Sequence, residues 1–237
     1  MAIDSAPDAT AALLRQLTGI ASICCALLAA PAQADVVIPV GGSMGLSSGG
    51  LDAYCTDLII AGTLQTNSAP VFNVRDVVIQ SGGVIDGGLS TINLSGNWTN
   101  NGTFTASTST VIFGDSCGVN PAAISGNTTF NNLSFVSSSG KTWQFAPGSV
   151  QTVLGLLTVQ GAPGNPVQLT NGGSGPPAYI DPLGGQAIAN VDTNNVILGP
   201  VVVPPIPMLD DAALLVLMLL LGTSAALTTR SRRARRN

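Results

Sequence analysis

Asp57-Leu58-Ile59-Ile60-Ala61-Gly62 returns nineteen residues later as Asp76-Val77-Val78-Ile79-Gln80-Ser81-Gly82. Each copy is an aspartate, three aliphatic residues and a glycine-ended turn, which is too short for a helix and punctuated as a strand is. A second echo, Leu94-Ser95-Gly96-Asn97-Trp98-Thr99-Asn100-Asn101, returns as Ile124-Ser125-Gly126-Asn127-Thr128-Thr129-Phe130-Asn131-Asn132. Apolar runs at 111–113, 133–136 and 154–159 continue the rhythm at intervals of about twenty. One such unit makes two or three short strands but cannot bury its apolar side alone. Stacked units pair in parallel and align Val, Ile, Leu and Phe in interior columns. The expected fold is all-β, a right-handed parallel β-solenoid whose seven or eight coils form a rod roughly 35 Å long. Repeat distances that vary from sixteen to thirty residues keep an antiparallel β-sandwich as the alternative.

Composition agrees with strands. Glutamate is absent and lysine occurs once, so the strong helix formers for exposed positions are missing, and helices are expected only in the two terminal segments. Residues 35–199 form one passenger domain, in which eight aspartates face Arg75 and Lys141, giving a net charge of −6. Nucleic acid is excluded as a partner, because phosphate binding requires a cationic surface. Asn-x-Ser/Thr triplets at Asn93, Asn97, Asn101, Asn127 and Asn132 are read as turn residues and cross-coil side-chain ladders. Trp98 and Trp143 are expected in the core rather than on a sugar-stacking surface.

The termini speak of address. In residues 1–34 Arg15 is the sole basic residue, the apolar run 17–30 follows it, and Ala32-Gln33-Ala34 offers a small-x-small site, so a signal peptide cut before Asp35 is expected. Its start is acidic, with Asp4 and Asp8 where basic residues are usual. At the other end the chain changes character at Pro176-Pro177, and residues 200–207 hold four prolines, which makes a stiff tether. Segment 206–237 runs from Ile206-Pro207-Met208-Leu209 through sixteen uncharged residues, 212–227, to Arg230, Arg232, Arg233, Arg235 and Arg236. A helix of that apolar length spans about 24 Å. Thr228, Thr229 and snorkelling arginines extend it toward a bilayer core of about 30 Å. The arginine cluster resists translocation, so the passenger is expected outside the inner membrane. Leader removal then leaves Cys55 and Cys117 in an oxidising compartment. A disulfide is expected, with two buried free thiols as the alternative, and loop closure is worth roughly 4 kcal/mol. Two cysteines without any histidine do not make a zinc site, and no cofactor is expected.

The Ala-x-Ala leader, the glycine- and asparagine-rich β passenger and the ending just quoted together resemble the IPTL-CTERM sorting family, exported proteins of Gram-negative bacteria similar in plan to PEP-CTERM proteins. The resemblance covers about thirty residues of tail. It departs from the family pattern at Met208, where threonine is usual, at Asp210 and Asp211, which replace Ser-Glu, and at Ala212, which takes a tryptophan position. It implies that Ile206, Pro207, Met208 and Leu209 are the recognition element of an exosortase-like sorting peptidase or transpeptidase, and that the five arginines are the stop-transfer signal.

The functional expectation is an exported structural protein of the cell surface or extracellular matrix. It is anchored in the inner membrane facing the periplasm, or lies at the surface once its tail is processed, with exopolysaccharide as a candidate partner. Two alternatives stand beside it. A polysaccharide-active β-helix enzyme needs paired carboxylates, for which Asp57, Asp76 and Asp86 are the candidates; the last sits in Gly82-Gly83-Val84-Ile85-Asp86-Gly87-Gly88, weakly similar to a calcium-binding repeat. With neither histidine nor glutamate available, the chain is not expected to be an enzyme, and these aspartates are read as turn caps. An adhesin binding protein through exposed strand edges is the other alternative.

Overall fold

The computed structural model describes residues 34–47 and 49–200. Among these, twenty-one strands and no helix build a parallel β-solenoid of seven complete coils and the start of an eighth. The sandwich alternative is thereby corrected, because every pairing between strands is parallel and joins one coil to the next. The signal segment through Gln33 and residues 201–237, including both terminal helices read from the sequence, lie outside the described residues.

Each coil contributes to three faces. Face one carries Trp98–Asn100, Ala122–Ser125, Thr142–Phe145, Val167–Thr170 and Val191–Asn194, preceded by Val36–Ile38 and the second halves of Leu51–Ile60 and Val71–Ile79. Face two begins with Ser43–Gly45, Thr63–Gln65, Val84–Asp86 and Thr103–Thr105 as one sheet. It continues with Thr128–Phe130, Val150–Val153, Ala178–Pro182 and Val196–Leu198 as a second. Face three runs from the first halves of the two long strands through Thr91–Leu94, Thr110–Phe113, Asn132–Ser137, Leu156–Gly161 and Gly185–Ala189. The two long strands bend around a corner and join faces one and three into one sheet.

Alternation along each strand sends every second side chain inward. On face one Leu58, Val77, Trp98, Ile124 and Phe145 stand in one column, and on face three Val71, Ile92, Val111, Leu133 and Leu157 stand in another. All ten are buried. The first echo is therefore a true repeat: Leu58, Ile59 and Ile60 pair with Val77, Val78 and Ile79. The second is not. Ile124 pairs with Trp98, so Ile124-Ser125-Gly126-Asn127 turns from face one to face two, whereas Leu94-Ser95-Gly96-Asn97 turns from face three to face one.

The corner between faces one and two explains the recurring glycine. Gly62, Gly83 and Gly102 stack there, and a Cβ on Gly83 would overlap the carbonyl oxygen of Ile60 in the coil before it, as one on Gly102 would overlap that of Gly83. None of the three has a positive φ, so glycine is required by close backbone approach and not by conformation. Gly83→Ala is expected to cost about 1–3 kcal/mol, because the obstructing atoms are backbone held in a ladder and cannot yield as a side-chain tip would. A urea midpoint measured at unchanged slope reads this out; a shift no larger than that of Gly49→Ala, a site with open space around it, would refute the packing account.

Candidate functional site

The corner between faces three and one brings Asp57, Arg75 and Asp76 together. Asp57 and Asp76 do stack on successive coils, but Arg75 lies between them: its Nε and Nη2 donate to both oxygens of Asp57 at 2.7 Å each, and Asp76 lies 3.8 Å from Nε. The bidentate bond to Asp57 and its charge raise the guanidinium's pKa above the ordinary arginine value. Arg75 is 43% exposed, so the pair orders the corner more than it stabilises it. Asp35, one coil before Asp57, and Asp76 each accept a backbone N–H from the next coil: the Asp57 amide donates to Asp35 Oδ1 at 3.1 Å, and the Asn97 amide to Asp76 Oδ1 at 2.6 Å. Asp86 stands on face two, where its Oδ1 accepts from the Gly88 amide and Ser107 Oγ. The three aspartates are thus not brought into one groove. Among the described residues no three acidic or cysteine side chains converge as a metal-ligand set.

Three of the five sequon asparagines work as rungs between coils. Asn97, Asn127 and Asn132 each accept a backbone N–H from the coil that follows, given by Ala123, Val150 and Leu156. Asn132 also donates to Thr110 Oγ1 at 3.3 Å. Asn101 is exposed in a turn, and Asn93 faces outward on face three.

Cys55 and Cys117 are disulfide-bonded, their Cα atoms 5.5 Å apart, so the alternative of two free thiols does not hold. Cys55 ends the first coil's strand on face three, whereas Cys117 belongs to residues 114–121, an excursion that leaves the solenoid after Thr110–Phe113 and re-enters at Ala122–Ser125. To meet Cys55 this strap runs back over the corners of the intervening coils. The Cys117 amide donates to Ser95 Oγ at 3.0 Å on the way. Asp115 fixes its root: Oδ2 accepts from Ser137 Oγ at 3.1 Å, the Ser138 amide at 2.9 Å and Ser139 Oγ at 3.2 Å.

Sequence reasoning missed Lys141. It is 2% exposed, its ammonium donates to the carbonyls of Ser95 and Gly114, and it lies 5.4 Å from the Trp143 ring centre. The one signal for it was a solitary lysine two residues from a tryptophan in an acidic segment. Burial pushes its pKa below the usual lysine range, against the opposing fields of Asp115 and Asp76. The unfolded chain then binds the proton more tightly than the folded one. Stability should rise as pH climbs from the lowered value through the ordinary 10.5, and that rise should vanish in Lys141→Met. Parallel pH titrations of the urea midpoint read the difference; identical slopes in the two proteins would refute the assignment.

Beside the strap, face three forms a cleft of about 300 Å³ lined by Phe72, Asn73, Asn93, Ile112, Asp115 and Ser116. A second hollow of about 230 Å³ lined by Thr110, Asn132, Ser134, Leu156 and Thr158 shares Ile112 with it. Trp98 and Trp143 are both fully buried, as core residues. Of the processing signals, Ala34 is exposed, while Ala32, the four residues from Ile206 to Leu209 and the five arginines lie outside the described residues. The fold and these sites define a disulfide-strapped parallel β-solenoid. No family model matches the chain, and no curated protein or solved structure compared with it matches either.

Proposed function

We propose that this protein is an exported structural component of the cell surface or extracellular matrix. Its solenoid acts as a rigid spacer, and its C-terminal segment is the address. The observation that carries the reading is the tail itself, Ile206-Pro207-Met208-Leu209 followed by an uncharged stretch and five arginines, joined to a passenger that carries a disulfide. A bond of that kind persists where thiols are not kept reduced, in keeping with export. The acidic, lysine-poor passenger suits a surface molecule that must not adhere to nucleic acid. In this reading the partners are the membrane and an exosortase-like peptidase or transpeptidase that reads 206–209. The protein stays anchored facing the periplasm until its tail is processed.

Intact-mass spectrometry on separated cytoplasmic, membrane and culture fractions of the native host tests the proposal. A species beginning at Asp35 and ending within 206–209 is the expected result. A membrane species that begins at Asp35 and retains Asn237 would reduce the tail to a plain anchor, with Met208 and Ala212 as the reason. An intact chain from Met1 in the cytoplasmic fraction would overturn the proposal.

A further inference from the structure

We infer that the groove along face three is a binding site for a neutral, hydroxyl-rich polysaccharide chain; this deepens the surface role proposed above and rests on it. The two hollows that meet at Ile112 make one groove crossing five coils, from Phe72 to Thr158. Its floor is an outward column in register: Asn93 beside Ile112, Ile112 beside Ser134, Ser134 beside Thr158, with Phe72 next to Val71, which pairs with Ile92. Coils stack about 4.8 Å apart, so the floor offers a new side chain at that interval over roughly 19 Å.

What stands at those intervals has the chemistry of sugar recognition. Phe72, Ile112 and Leu156 supply apolar surface for the C–H faces of pyranose rings. Asn93, Asn132, Ser134, Thr110 and Thr158 supply amide and hydroxyl groups that both donate and accept, as a ligand made of hydroxyls requires. The floor is also rigid. Its strands are paired on both sides, so binding orders little that is not ordered already.

Charge and topology exclude the other chain-like ligands. Among the described residues Asp115 is the groove's single charged lining residue and the passenger is acidic, so a uronate or phosphate polymer meets repulsion without a counter-charge there. A peptide added as a strand needs a free sheet edge, but the groove lies on a sheet face whose backbone groups are committed to the ladder. Asp115, held by three donors on Oδ2 and carried on the strap, walls one side at Phe72 and Asn93, which gives the groove its depth and one end.

The experiment is calorimetric titration of the full chain with laminarihexaose, cellohexaose and mannohexaose, with hexamannuronate as the anionic comparison. At least one neutral hexasaccharide is expected to bind. Phe72→Ala and Asn93→Ala should each weaken it roughly tenfold, as the loss of one stacking or hydrogen-bonding contact does. Thr129→Ala, on face two, should leave it unchanged. Asn93 projects outward from its strand, so that variant keeps the test decisive if Phe72→Ala lowers the melting temperature. The inference is overturned if none of the neutral hexasaccharides binds, if hexamannuronate binds more tightly than they do, or if binding survives both face-three variants. Each of these outcomes leaves the mass test of export standing, so the two readings fail separately.

Discussion

Trp98→Ala is expected to lower stability by about 3–5 kcal/mol, against a total of about 5–15 kcal/mol for a folded domain. Trp98 has no exposed surface, and its ring meets Phe104 edge-on at 5.3 Å, Phe130 at 5.4 Å and Phe113 at 6.2 Å. These contacts lie where face two passes from one sheet to the next without a ladder between Thr103–Thr105 and Thr128–Phe130. The other complete coils are each held to the next complete coil by three ladders; here side-chain packing carries the third face. The indole also donates to Thr128 Oγ1 at 3.1 Å, but Asn100 Nδ2 donates to the same oxygen, so the threonine keeps a partner and the cavity dominates the loss. In a solenoid whose units touch only their neighbours, the weakened joint should also divide the transition. Urea unfolding followed by circular dichroism, which reports on the whole solenoid, should show a broadened or two-step curve that no longer coincides with the fluorescence of Trp143, which reports on the C-terminal half alone. Trp98→Phe, which restores most of the volume, should recover the greater part of the loss. A destabilisation below about 1 kcal/mol would mean that the step between sheets is not the weak joint described here.

The aliphatic triplets after Asp57 and Asp76 were legible because a one-residue slip would turn a buried column outward, so register and apolar pattern specify each other. The second echo misled for a physical reason. The step from Trp98 to Ile124 takes twenty-six residues where the previous step, Val77 to Trp98, takes twenty-one, and the lengthening arises within residues 114–121, which replace the short corner of residues 95–97. A loop leaving a solenoid at a corner displaces everything after it in sequence without displacing the coil in space. Glycine and asparagine mark corners of every kind, so Gly96-Asn97 and Gly126-Asn127 look alike while turning between different faces. The pairing of Asp57 with Asp76 could be read from spacing. The insertion of Arg75 between them could not, since outward side chains near a corner are free to turn either way. Lys141 lay beyond pattern altogether: its burial depends on the carbonyls of Ser95 and Gly114, forty-six and twenty-seven residues away in sequence.

Replacing both cysteines, Cys55→Ser with Cys117→Ser, is expected to lower global stability by about 4 kcal/mol, because the bond closes a loop of 62 residues that the unfolded chain would otherwise explore freely. A local effect should accompany the global one. Tyr54 and Cys55 both hold positive φ, 49° and 61°, in a turn that the Tyr54 amide closes onto Asp52 Oδ1 at 2.9 Å. Non-glycine residues occupy that region at a cost, so the turn persists only while its surroundings hold it. The disulfide is one such constraint. On its other side the strap keeps the bond from the Cys117 amide to Ser95 Oγ and the root at Asp115, so without the disulfide it should loosen chiefly near its middle. Limited proteolysis under native conditions should therefore cut the double variant within 114–121 well before the solenoid unfolds, while the oxidised protein resists. A reductant should reproduce both effects in the native sequence and do nothing further to the double variant. Should the melting temperature fall while the strap stays resistant, the bond acts on the unfolded chain alone, and the Ser95 and Asp115 contacts suffice to hold the wall of the groove. If the strap is cut but global stability hardly moves, the unfolded chain is already compact around that loop, and the chain-entropy account fails for this bond.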